Sequence, residues 1–228
     1  FQCTGFETGA TVERFPWKRV RYAADVPWPP PGASLTLHFA PPTGKLPGLT
    51  LDVHYEMYDG IPLMAKWFTI QNNSGAAVTL DTFVNEILAV VEYESVVDTR
   101  NQWGFPNLYV ESDYAFHGMD GVTADHTTQW VKDPQYTTQV NYELSTPCLL
   151  ESKPPMGPGI AVSPGQTFTS FRTFELVQDA TDRERRGLAQ RRMYRVLSPW
   201  ATENPILFHV TKSHPKDVRL AIDQSAEA

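Results

Sequence analysis

Nineteen prolines and fourteen glycines punctuate this chain of 228 residues, crowding its first three quarters and leaving room only for short extended runs. Such spacing suits an antiparallel sandwich or barrel and leaves little space for helical periodicity. Ser34 to Ala40 sets Leu35, Leu37 and Phe39 against Ser34, Thr36 and His38, and Leu49 to Met57 sets Leu51, Val53, Tyr55 and Met57 against Thr50, Asp52, His54 and Glu56. Both predict strands with one wet face. Asp59-Gly60 predicts a turn, Ile61 to Gln71 a long strand, and Asn72-Asn73-Ser74-Gly75 a second turn. Further extended stretches are predicted at Val78–Val97, broken once, at Gln135–Leu144, and at Thr167–Val177 after the turn Ser163-Pro164-Gly165. From Arg100 to Asp133, Gly104, Pro106, Gly118 and Gly121 allow loops and short strands only.

The last fifty residues differ in kind. Thr181 or Asp182 caps a predicted helix from about Arg183 to Leu197, with Ala189, Met193, Val196 and Leu197 as its apolar stripe and Arg183, Arg185, Arg186, Arg191 and Arg192 around the rest. Ser198-Pro199 stops it. After an extended piece at Ile206–Val210, a second helix begins near Pro215 with Val218, Ala221, Ile222 and Ser225 on one side. That helix runs to the last residue without a cap, which leads us to expect a neighbouring domain beyond it. Residues 1–178 therefore read as a β-rich domain and residues 179–228 as a helical linker.

With 41% apolar residues the chain can bury a core, and 19 Lys and Arg against 26 Asp and Glu give a net charge of −7, which argues against a nucleic-acid partner. No run approaches the roughly 18 apolar residues of a membrane helix, and Phe1–Ala10 lacks the features of a signal peptide, so a soluble protein is expected. Cys3 and Cys148 make at most one bridge, or remain thiols.

Few motifs carry chemistry. There is no GxSxG, P-loop, GxGxxG or CxxC pair, and no cofactor is expected. Among the six tryptophans, Trp67 falls inside a strand and is expected in the core, whereas Trp28 and Trp103 sit on turns held by Pro and Gly, where an indole can stack on a sugar. His54 and Glu56 share a strand face as an acid–base pair or as ordinary wet-face residues; Glu86, Glu92 and Glu94 invite the same two readings. Asp113, His117, Asp120, Asp125 and His126 crowd one loop without a recognised ligand spacing, so no metal is expected. Asn72-Asn73-Ser74 matches a glycosylation sequon.

Taken together, Phe15-Pro16-Trp17-Lys18-Arg19, the pair of strands from His54 to Trp67, and Asn85-Glu86-Ile87-Leu88-Ala89-Val90-Val91-Glu92 resemble the N-terminal β-supersandwich of α-galactosidase-like glycoside hydrolases of family 36. Arg186-Gly187-Leu188-Ala189, continuing to Pro199-Trp200-Ala201-Thr202-Glu203-Asn204-Pro205, is similar to the helical linker that leads into that family's catalytic (β/α)8 barrel. The resemblance implies an antiparallel, galactose mutarotase-like supersandwich with no hydrolytic residues of its own, because the family's catalytic aspartates lie in the barrel. Lys66-Trp67-Phe68 is not the family's Lys-Trp-Asp motif. It also implies a structural role beside the barrel, a galactoside-like carbohydrate as the substrate of the whole enzyme, and Trp28, Arg100 and Trp103 as residues at the rim of its pocket. An apolar patch left by the missing barrel is expected to favour homo-oligomers. Two rivals follow: an aldose 1-epimerase using His54 with Glu86 or Glu92 across a concave sheet, and a free-standing carbohydrate-binding module, which the helical tail disfavours.

Overall fold

A computed structural model describes residues 1–19, 25–89, 107–114, 127–135, 149–201, 210–211 and 214–227. Its fold is antiparallel, all-β and sandwich-like, with helices following the strands. Alternation in the sequence becomes strands where expected: β2 is Gly32–Ala40, β3 Leu49–Tyr58 and β4 Leu63–Asn72. Gly60, at φ +73°, makes the turn between β3 and β4, a backbone conformation that strains any residue with a Cβ. The main sheet runs β1-β2-β3-β4-β12-β7, where β1 is Gln2–Ala10, β7 Leu108–Ser112 and β12 Thr173–Val177. β11, Thr167–Thr169, also pairs with β4. A two-stranded sheet joins β5 (Val78–Thr82) to β10 (Pro158–Val162), and a three-stranded one orders β6 (Glu86–Ala89), β9 (Leu149–Ser152) and β8 (Thr128–Val131).

Register sorts the side chains of the main sheet. Leu37 lies opposite Val53 and Val53 opposite Phe68, an apolar row on one face. On the other face His54 opposes Trp67, Glu56 opposes Ala65, and Ala65 in turn opposes Phe174. Helix α1, Arg183–Leu197, buries Met193 and Leu197 against this second face, in a core with Tyr58, Leu63, Trp67 and Leu176. Burial of each such side chain contributes about 1.5–3 kcal/mol. Asp182 caps the helix as expected, its carboxylate accepting from the Arg185 N–H at 2.9 Å. Among the described residues the last strand ends at Val177, and α2 covers Pro215–Glu227; most of the extended piece expected at Ile206–Val210 lies outside them.

Thr167–Val177 is not the single strand its alternation predicted. The register moves by one residue between Phe168, opposite Ile70, and Phe174, opposite Ala65, so the two rings point to opposite faces. The interruption is held by side chains. The Ser170 hydroxyl accepts from the Phe68 N–H at 2.9 Å, and Asp113 accepts from the Arg172 N–H at 2.7 Å. The strand β1 also had no counterpart in the sequence reading. As an edge strand exposed on both faces it needs no apolar alternation.

The sequon at Asn72 is corrected by burial. Asn72 is fully buried, donates to the Ala76 and Val162 carbonyls at 2.8 Å each, and accepts from the Ser74 N–H and hydroxyl. Its amide is consumed in joining the β4 turn to β10, so it offers no acceptor for a glycan. Replacing Asn72 by Ala removes the side-chain donor to the buried Val162 carbonyl and the acceptor for the Ser74 N–H, and a urea unfolding series should show a loss of about 1–3 kcal/mol.

Candidate functional site

The α1-facing side of the main sheet gathers a buried, hydrogen-bonded polar cluster. Glu56, 1% exposed, accepts from the Val12 N–H at 2.7 Å, the Tyr58 hydroxyl at 2.8 Å and Arg172 Nη1 at 2.8 Å. The Arg172 guanidinium lies 3.7 Å from the Trp67 ring centroid, a short cation–π contact, and the His54 imidazole stacks on the same indole at 5.0 Å and 16°. His54 Nδ1 and Nε2 reach the Thr36 and Thr69 hydroxyls at 3.1 and 3.0 Å. Burial holds the His54 pKa below the ordinary imidazole range. Burial likewise raises the Tyr58 phenol, helped by the Glu56 charge.

A second cation extends the cluster to the helix. Arg14 lies over the rings of Phe15, Trp28 and Phe174, 3.8 Å from an Asp113 oxygen, and donates to the Leu197 carbonyl at the end of α1. Desolvation lowers the Arg14 pKa and raises that of Asp113. Above Arg14, Phe15, Trp17, Trp28 and Trp200 pack with centroids 5.2–6.0 Å apart. The Trp28 indole N–H donates to the Phe15 carbonyl at 3.2 Å. The structure therefore places Trp28, expected at a sugar rim, in the packing that binds three chain segments together. Arg100 and Trp103 lie outside the described residues.

The opposite face carries a different ionisable group. Lys66 Nζ meets Glu86 Oε1 at 2.7 Å, and Glu86 is buried rather than on a wet face. Beside them, burial and a hydrogen bond to Glu86 push the Glu175 carboxyl up to about 8. Glu175 Oε1 is buried with no hydrogen-bond partner among the described residues. Two carboxyl groups crowded into one buried site disfavour a second negative charge, which is the direction of the Glu175 shift. Nearby, a groove of about 370 Å³ is walled by Leu37, Val53, Phe68 and Ile70, with Lys66 and Asn85 among its polar edges. Glu86 occupies the Lys66 ammonium, so this groove suits an apolar group better than a charged one.

This arrangement corrects the epimerase pairing. His54 stacks on Trp67, whereas Glu86 bonds Lys66, the preceding residue of the same strand. Successive strand residues point to opposite faces, so His54 and Glu86 cannot converge on one sugar. Glu92 and Glu94 lie outside the described residues. Glu56 does share the face of His54, yet it is buried and saturated by three donors, neither a solvated residue nor a free base. Of the crowded loop, only Asp113 is described, and among the described residues no group of His, Cys, Asp and Glu can hold a metal. Cys3 is an exposed free thiol, so it forms no bridge to Cys148, itself outside the described residues.

The Arg172–Glu56 pair escaped the sequence reading because its partners are 116 residues apart. The only local sign was an Arg set among apolar residues in Thr167–Val177. No helix among the described residues is long and apolar enough to cross a membrane. No family model, curated protein or solved structure matches the chain.

Two measurements probe these charges. Arg172→Met leaves a buried carboxylate without its cation and should cost about 3–5 kcal/mol in urea unfolding, part of it recovered when Glu56→Leu is added. The Glu175 pKa is raised on folding, so the native state binds the proton more tightly, and stability should decline as pH rises from the usual carboxylate range to about 8. In Glu175→Gln that decline should flatten, leaving the variant more stable than the parent at pH 8.

Proposed function

We propose that this chain is a non-catalytic sandwich domain that supports a catalytic (β/α)8 barrel through its helical segment, as the N-terminal domain of an α-galactosidase-like glycoside hydrolase does. One observation carries the reading: α1 is clamped to the sandwich at both levels of its last turn. Met193 and Leu197 are buried beneath it, Arg14 binds the Leu197 carbonyl, and Trp200, just past the helix, closes the aromatic cluster with Trp28. A tail needed only as a tether has no reason to be fixed so firmly. The outward side of α1 still presents Leu188, 61% exposed, beside Arg191 and Arg195, and α2 presents Leu220 and Ile222. These are the surfaces on which a further domain would pack.

The chemistry of the site supports the same role. Glu56, His54 and Arg172 are engaged in contacts that hold the fold, and His54 and Glu86 lie on opposite faces of the sheet. A galactoside is accordingly a ligand of the whole enzyme, with Trp28 acting through the packing that places the linker and Arg100 and Trp103 as its proposed rim residues.

The chain alone should neither hydrolyse aryl α-galactosides nor accelerate galactose mutarotation in a polarimeter. Catalysed mutarotation that disappears in His54→Ala overturns the proposal in favour of an epimerase. Hydrogen exchange gives the positive arm: Trp28→Ala should speed exchange of the α1 amides by an order of magnitude or more while leaving β3 and β4 protected, since about 1.4 kcal/mol of lost docking is tenfold in opening.

A further inference from the structure

We propose that β1 is a self-pairing edge, through which two copies of this chain join antiparallel about a two-fold axis at Phe6 and continue the main sheet from one copy into the other. β1 ends the order β1-β2-β3-β4-β12-β7, and among the described residues no strand pairs with its outer side. Eight of its nine residues are exposed. A strand this long at an open edge offers a row of unpaired backbone donors and acceptors, and proteins that remain monomeric blunt such edges with Lys, Pro or inward charges. Gln2–Ala10 contains no Lys, Arg or Pro, and its one charge is Glu7.

Side-chain register selects a second copy as the occupant. Phe6 lies opposite Leu37, Leu37 opposite Val53, and Val53 opposite Phe68, so an apolar row crosses four strands and ends at the edge on a ring 70% exposed. A two-fold axis perpendicular to the sheet keeps the equivalent faces of both copies on the same side. Centred on Phe6, it sets one Phe6 against the other and joins the two rows into one. On the reverse face the same register puts Glu7 opposite Gly5 of the other copy, and a Cβ at Gly5 would meet nothing within 4 Å. Centring one residue later sets the two Glu7 carboxylates against each other, a like-charge pairing that destabilises a sheet. Centring on Thr8 leaves Phe6 facing Ala10. The bulge between Cys3 and Gly5 falls outside the three pairs nearest the axis, Gly5 to Glu7.

This contact is separate from the helical surfaces assigned to a partner domain, so its failure leaves that reading intact. Sedimentation velocity over a concentration series should show a monomer–dimer equilibrium for the parent chain, and Phe6→Lys should shift it to monomer with an unchanged circular dichroism spectrum. In a Cys3→Ser background, Phe6→Cys should give a disulfide-linked dimer on mild oxidation, and Thr8→Cys should not. A parent chain that stays monomeric throughout overturns the proposal, as does a dimer indifferent to Phe6→Lys or one that cross-links through the Thr8→Cys variant instead.

Discussion

The buried ion pair between Glu56 and Arg172 is the joint on which the rest of this molecule is assembled. A carboxylate 1% exposed is tolerated only when its charge and lone pairs are met, and three donors meet them here, two of them from distant parts of the chain. Arg172 brings in the segment between β11 and β12, Val12 the chain leaving β1, and Tyr58 the end of β3. Arg172 also lies on Trp67, so the same guanidinium that neutralises Glu56 covers the largest ring of the core. Charge pairing and apolar packing thus depend on one another at this point.

From that joint the order spreads towards the helix. Arg14 follows Val12 by two residues, so fixing the Val12 N–H on Glu56 also delivers the Arg14 guanidinium to the end of α1. Held over Phe15, Trp28 and Phe174, it forms the floor of an aromatic cluster in which Trp200 supplies the helical side. Placement of the end of α1 therefore depends in part on the sheet's internal electrostatics. The helix contributes its Met193 and Leu197 to the core, and the seat for its end is completed by Arg14, Phe15 and Trp28 from the first thirty positions.

How much of this could be read from the sequence depends on the range over which each cause acts. β2, β3, β4 and α1 were legible because their signals are local: alternation at Leu35, Leu37 and Phe39, a Gly at the Asp59-Gly60 turn, an Asp at the helix cap. β1 was hidden because an edge strand exposed on both faces buries nothing that would impose a pattern. The break within Thr167–Val177 was hidden for another reason, since it depends on Phe68 and Asp113 bonding Ser170 and Arg172 from far along the chain. His54 and Glu86 were each read as acid–base candidates, and only the register of β4 shows that Trp67 and Lys66 send them to opposite sides.

The two faces of the main sheet solve the same electrostatic problem differently. On the helix side an acid is paired with a cation and two further donors; on the groove side Lys66 satisfies Glu86, and burial beside Glu86 raises the Glu175 pKa. Either solution removes a carboxylate from chemistry by committing it to the fold, the first through an ion pair and the second through burial beside a like charge. The sheet therefore engages its central acids in the fold. Among the described residues its margins present further surfaces: the outer edge of β1 on one side, and on the other a helix seated on the sheet with Leu188, Arg191 and Arg195 turned outward. On the helix side the seat of that surface includes Arg14, which follows the Val12 held by Glu56 and bonds the end of α1.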